Sequence, residues 1–288
     1  MRWSTGDRGN IQDMRGRSGG GGMIPLGIGG FIVVALLSMF TGVDFFSMLG
    51  GGSPAPDSSA VGTSGSGTPV KTTPAEERMV DMVDAVARDA QQTWSEKLGS
   101  RYEPTKVVLF RDAIQSACGY AGAATGPFYC PGDRKVYLDL GFFDELQRRF
   151  GASGDFAQAY VLAHEIGHHV QTITGTEGRM RQMQRSDPGS GNALSVRLEL
   201  QADCYAGVWG HDASKAGRAA AGGVELDPGD LEEAALAAAA AIGDDRLQKL
   251  GTGRVMPEKF THGSSEQRRT WFKRGFDSGD PGSCDTFR

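Results

Sequence analysis

The 288-residue chain has no surplus of positive charge: 30 lysines and arginines stand against 35 acidic residues, for a net charge of −5 at pH 7. Without a broad basic surface, nucleic acid has little electrostatic footing, and no such partner is expected. No internal repeat is present, so no repeat architecture is expected. The four cysteines include no CxxC pair, which argues against a zinc site built from thiolates. Histidine is also scarce, at five residues, so any close grouping of histidines is informative. Glycine is the exception to this scarcity. Of its 43 residues, 17 fall before position 70, so the excess belongs to the N-terminal quarter and the remaining length suits one domain.

That quarter divides by composition. Residues 1–22 carry Arg2, Arg8, Arg15 and Arg17 against Asp7 and Asp13 and show no apolar periodicity, which reads as a basic, Gly-rich cytoplasmic tail. Residues 23–43 hold no charged side chain and are about the length that crosses a bilayer core as a helix. A cleaved signal peptide is the alternative, although the exit lacks a small-x-small cleavage signal. Arginines before the stretch and none just after it orient the N-terminus toward the cytoplasm and place the rest outside it. Residues 44–73 form a Gly/Ser/Pro/Thr-rich linker. The expectation is a single-pass protein of the cell membrane whose folded domain, residues 74–288, is extracytoplasmic.

Thr73 can cap a helix whose first position is Pro74 and whose first turn carries Glu76. Apolar residues from Met79 to Leu98 then recur at helical spacing. Residues 106–110 and 135–140 read as strands, the second with Val136, Leu138 and Leu140 inward and Tyr137 and Asp139 outward. The chain after Gly141 reads mainly as helix, and the Ala-rich run 231–242 as a packed helix. Four cysteines in an extracytoplasmic domain suggest two disulfides, Cys118 with Cys130 across a Gly-rich loop and Cys204 with Cys284 stapling the C-terminus to a helix. Zinc ligation and free buried thiols are the alternatives.

The chemistry concentrates in His164-Glu165-Ile166-Gly167-His168, an HExxH pattern inside an apolar helical stretch. His164 and His168 lie four apart, on one helix face, where one tetrahedral Zn²⁺ can take both. Glu165, beside the first histidine, is placed to take a proton from a metal-activated water. Downstream, Glu199 and Asp203 again lie four apart. Burying two acids is costly unless they pair or coordinate, so Glu199 is assigned to the metal and Asp203 to an imidazole N–H behind it, the reverse being the alternative. His169 points away and reads as a packing residue, and His211 as a surface residue. Glu177 and residues 179–185 read as a solvated loop or helix end.

The opening MRW, the block SACGYAGAATGPFYCPGDRKVYLDLGFF, AHEIGHHVQ, LELQADCYAGVW and the ending FTHGSSEQRRTWFKRGFDSGDPGSCDTF resemble the bacterial family of "putative neutral zinc metallopeptidases" over nearly the whole chain. The resemblance implies an α+β, zincin-like domain, mainly helical with a small sheet, preceded by one transmembrane helix. It also implies Glu199 as a gluzincin-like third ligand. Zincins of this kind take substrate as an added strand on a sheet edge, for which 136–140 is the candidate. His262 through Arg268 is similar to the HPxxxxR segment of membrane-associated HExxH peptidases, with Gly263 in place of proline. This would make His262 a stabiliser of the oxyanion and Arg268 an ion-pairing brace. The expected function is zinc-dependent hydrolysis of peptide or protein substrates. A non-catalytic, zinc-stabilised, membrane-tethered binding or scaffold domain is the alternative.

Overall fold

The computed structural model describes residues 1–16, 71–122, 125–143, 155–227, 243–252 and 254–288. The expected transmembrane stretch 23–43, most of the linker and the Ala-rich run 231–242 lie outside the described residues. Among the described residues no helix is long and apolar enough to cross a membrane.

Helix α1 (Pro74–Leu98) starts where its local chemistry dictates. The Thr73 hydroxyl accepts from the Glu76 amide at 3.2 Å, Pro74 occupies the first turn, and Glu76 and Glu77 face the positive end of the helix. Its apolar stripe, which includes Val80, Val83, Val86, Ala90 and Trp94, is essentially excluded from solvent. Burial of that kind contributes roughly 1.5–3 kcal/mol for each large side chain. The stripe packs on α2 (Asp155–Ile173), the helix of the HExxH pattern, which in turn packs on α4 (Gly191–Ala213). Between these two, α3 (Thr176–Ser186) is short and mostly exposed. After α5 (Asp244–Thr252), helix α6 (Ser265–Ser278) opens with a capping box in which Ser264 and Gln267 satisfy each other's amides.

Two glycine contacts set the spacing of these helices. A Cβ on Gly207 of α4 would sit 2.1 Å from the Phe272 carbonyl oxygen, and one on Gly275 of α6 would sit 1.9 Å from that of Cys204. Only bare backbone permits so close a crossing of α4 and α6. The disulfide Cys204–Cys284 fastens the C-terminus to α4 at the same level, and Cys118–Cys130 closes the Gly-rich loop. Both expected pairings are therefore present.

The main sheet has the order β2 (Ile11–Asp13), β3 (Val107–Phe110), β7 (Lys135–Asp139), β6 (Phe128–Cys130). Its first three strands are parallel and β6 is antiparallel to β7. Val107, Leu109, Val136 and Leu138 face the helices, while Val108, Phe110 and Tyr137 form a second buried cluster on the far side. Strand β7 therefore corrects two expectations. It is central rather than an edge, so 136–140 cannot accept a further strand. Tyr137 and Asp139 are buried rather than outward, with Tyr137 stacked on Phe128 at 4.9 Å. Among the described residues the edge on that side is β6, whose three residues are too few to announce themselves by alternation. A hairpin of β4 (Ala113–Ser116) and β5 (Gly119–Gly122) stands apart from this sheet.

The expected N-terminal tail is also corrected. Residues 1–15 belong to the domain: β1 (Arg2–Trp3) pairs with β8 (Val224–Glu225), and β2 extends the main sheet. Arg15 is buried, bridging Asp13, Glu76 and Glu77 at 2.7–3.2 Å. Arg8 and Arg15 thus face the acidic first turns of α1, while Arg2 pairs with Glu225 of β8.

Candidate metal centre

Helices α2 and α4 meet at Gly167 and Ala202, where a Cβ on the glycine would stand 3.0 Å from the Ala202 carbonyl oxygen. That close approach brings the HExxH face against Glu199 and Asp203. His164 Nε2 lies 3.2 Å from His168 Nε2 and 3.2 Å from Glu199 Oε2, and His168 Nε2 lies 3.5 Å from Glu199 Oε1. Among the described residues these three form the one group with metal-ligand geometry. A tetrahedral ion with bonds of about 2.0–2.1 Å has ligand-to-ligand edges of about 3.3 Å, close to the separations of the two imidazole nitrogens from each other and from the Glu199 carboxylate, which turns one oxygen to each imidazole. The donor set, two imidazoles and a carboxylate, suits zinc.

The tautomers are arranged for the same purpose. His164 Nδ1–H donates to Asp203 Oδ1 at 2.9 Å, leaving Nε2 with its lone pair toward the site. His168 Nδ1–H donates to Gln171 Oε1 at 2.9 Å. The Gln171 amide is itself oriented, because its Nε2 donates to the Leu198 carbonyl at 2.7 Å and to Gln201 at 3.1 Å. Asp203, fully buried, also accepts from Tyr160 and is gripped by Arg268 through Nε and Nη2, both at 2.8 Å. Burial disfavours the charged form of His164, yet the Asp203 and Glu199 carboxylates outweigh it and carry the metal-free imidazole up to about 10. The negative potential of the two carboxylates favours a cation at this position.

Glu165 stands beside the ligands without joining them. Its carboxylate accepts the backbone N–H of Tyr129 on β6, and burial raises its pKa above the usual carboxylate range against the pull of the two histidines. Tyr129 also donates its hydroxyl to His169 Nδ1 at 3.1 Å, while His169 Nε2–H donates to the Glu103 carbonyl at 2.6 Å. His169 is therefore the packing residue expected of it, and it ties β6 to α2.

A cleft of about 510 Å³ opens onto these residues, lined also by Phe128 and Tyr129 of β6 and by Phe142, Val161, Leu198 and His262. His262, half exposed, is oriented by Asp244. The Asp244 carboxylate accepts the amides of Thr261, His262 and Gly263 at 2.6–3.0 Å and meets His262 Nδ1 at 3.2 Å. Desolvation works against the charged imidazole, but Asp244 and the field of Glu199 raise its pKa. Gly263 adopts φ +94°, which proline cannot reach, and this explains the departure from HPxxxxR. Glu177, expected to be solvated, accepts from Thr172 at 2.6 Å at the margin of the cleft. His211, expected at the surface, is half buried and donates to the Phe276 carbonyl at 2.8 Å.

Four contributors escaped the sequence reading. Tyr160 and Gln171 sit at helical offsets of −4 from His164 and +3 from His168, a spacing that marks them once the helix is known. Asp244 and the Tyr129 amide carry no comparable signal.

The family model described as "Putative neutral zinc metallopeptidase" matches residues 1–287. The chain is 44% identical over 300 residues to the Escherichia coli (strain K12) protein named "Uncharacterized protein YpfJ", covering 100% of this chain and 99% of that one. It is 46% identical over 209 residues to "Uncharacterized protein Rv2575" of Mycobacterium tuberculosis (strain ATCC 25618 / H37Rv), covering 71% of this chain and 69% of that protein. No solved structure matches the chain.

Proposed function

The chain belongs to the family described as "Putative neutral zinc metallopeptidase", and from that premise we propose that it hydrolyses peptide bonds with a glutamate general base beside a zinc ion held by His164, His168 and Glu199. The observation that carries this reading is the convergence of the His164 and His168 Nε2 atoms, 3.2 Å apart, on the Glu199 carboxylate, whose oxygens lie 3.2 and 3.5 Å from them, with Glu165 adjacent and not among them. A site serving only structure has no use for that glutamate and closes its fourth position with protein.

When bound, zinc supplies Lewis acidity that polarises the scissile carbonyl and acidifies the attacking water. Glu165 takes the proton from that water and returns it to the leaving amine. Its raised pKa strengthens it as the base that takes the proton, and its bond to the Tyr129 amide holds the carboxylate in place. His262 faces the cleft and, as an imidazolium favoured by Asp244 at its Nδ1, donates from its other nitrogen toward the oxyanion. Substrate adds to the free edge of β6 through its main chain, which demands little of substrate sequence. Arg268 acts at one remove, holding Asp203 against His164.

Zinc content and casein hydrolysis of wild type and Glu165→Gln test the proposal. The variant is expected to retain one zinc and lose hydrolysis by 10²-fold or more. Undiminished turnover would remove Glu165 from this role, and an inactive wild type carrying full zinc would favour the scaffold alternative.

A further inference from the structure

Residues 1–15 and the metal-bearing domain form one folded unit, although a charge-free stretch of 21 residues, 23–43, separates them in sequence. We infer that residues 1–15 and 73–288 lie on the same side of any bilayer the protein meets. A topology with the N-terminus inside and the domain outside is thereby excluded.

The N-terminal segment supplies an edge strand and several of the ion pairs of the domain. Strand β3 is an apolar run, Val107–Phe110, whose outer edge is completed only by β2. The Val107 amide donates to the Asn10 carbonyl at 2.9 Å and the Met14 amide to the Leu109 carbonyl at 2.8 Å. Bared, this strand would be an open hydrophobic edge of the kind that folded proteins cover. On α1, Arg8 bonds Asp81 at 2.7 Å and Glu77 at 2.6 Å, and the fully buried Asp84 accepts from the Asn10 amide at 3.2 Å. A Cβ on Gly6 would stand 1.8 Å from Arg88 Nη1, so that turn is seated against the helix.

Both ends of the intervening chain also converge on one residue. Glu76 accepts from Arg15 Nη1 at 2.9 Å and donates its amide to the Thr73 hydroxyl at 3.2 Å. A single crossing would part those contacts by the thickness of the hydrocarbon core, about 30 Å. A basic flank normally sets orientation, but here Arg8 and Arg15 are spent on the domain's own acids.

Accessibility of single cysteines on intact cells expressing the full chain tests the inference. The four native cysteines pair in disulfides, and the chain without an added cysteine, carried through the same treatment, serves as the blank. Thr5→Cys in the N-terminal segment and Ser186→Cys at the end of α3 replace exposed residues. Each is treated with a membrane-impermeant maleimide and normalised to the same cells after lysis. The expected result is that both label to the same normalised extent, or that both are protected alike. Labelling of one with protection of the other would overturn the inference, as would a mature chain whose mass shows residues 1–15 removed.

Discussion

Arg268 and Asp203 are both shut off from solvent, and the guanidinium grips the carboxylate through Nε and Nη2 at 2.8 Å each. The same carboxylate receives His164 Nδ1–H at 2.9 Å, so a pair that looks structural sets the tautomer of a proposed ligand. Arg268→Met leaves Asp203 charged, buried and short of its main partner. It is expected to cost about 3–5 kcal/mol in chemical denaturation, and equal stability of wild type and variant would contradict the pairing.

Asp203→Asn separates support of the imidazole from ligation. Zinc affinity, measured by competition with a chelator, is expected to fall about 10–100-fold with zinc still bound at one per chain. Gln171→Leu, acting on His168 through the 2.9 Å bond to Nδ1, is expected to weaken zinc by about 10-fold. Unchanged affinity in both variants would dismiss these residues as determinants of the site.

How much of this was legible in the sequence follows from the range of the interactions. The start of α1 is written within four residues, Thr73 to Glu76, and HExxH and the Glu199/Asp203 pair are written within one helical turn. The N-terminal strands have no periodicity of their own. β2 is three residues long and exists because β3, nearly a hundred positions later, offers it an edge, and because Arg8 and Arg15 meet acids on α1. Strand β6 is equally short, and its alternation is invisible beside that of β7, so the pattern pointed to the wrong strand as the edge. Asp244 carries no motif at all, and only the fold brings it under His262.

The Asp244–His262 contact predicts a pH effect. Because Asp244 raises the His262 pKa, the cationic donor persists above the ordinary histidine value and is lost as pH rises through the raised one. Asp244→Asn lowers that pKa, so the alkaline limb of kcat/KM for peptide hydrolysis is expected to move to lower pH while zinc content stays at one. An unmoved alkaline limb would detach His262 from the reaction.

Arg15 tests the incorporation of the N-terminal segment by stability. With a buried side chain bonded to Asp13, Glu76 and Glu77, Arg15→Ala is expected to cost about 1.5–3 kcal/mol in the full chain, as loss of hydrogen bonds to charged groups does. A residue in a free tail would cost nothing measurable.

The disulfide Cys204–Cys284 closes a loop of 80 residues. Chain-entropy reasoning gives it about 4–5 kcal/mol, so the double serine variant is expected to unfold at markedly lower denaturant concentration while the Cys118–Cys130 bridge persists. Coincident unfolding curves would contradict that contribution.

The central claim, two imidazoles and one carboxylate around zinc with one position left open, is tested most directly by zinc K-edge X-ray absorption on the zinc-loaded full chain, before and after addition of a hydroxamate. The account predicts a four-coordinate N/O shell at about 2.0–2.1 Å with two imidazoles and no sulfur, and a change in that shell when the hydroxamate enters the vacant position. A sulfur shell at about 2.3 Å, or a spectrum indifferent to the hydroxamate because protein groups fill all four positions, would contradict it.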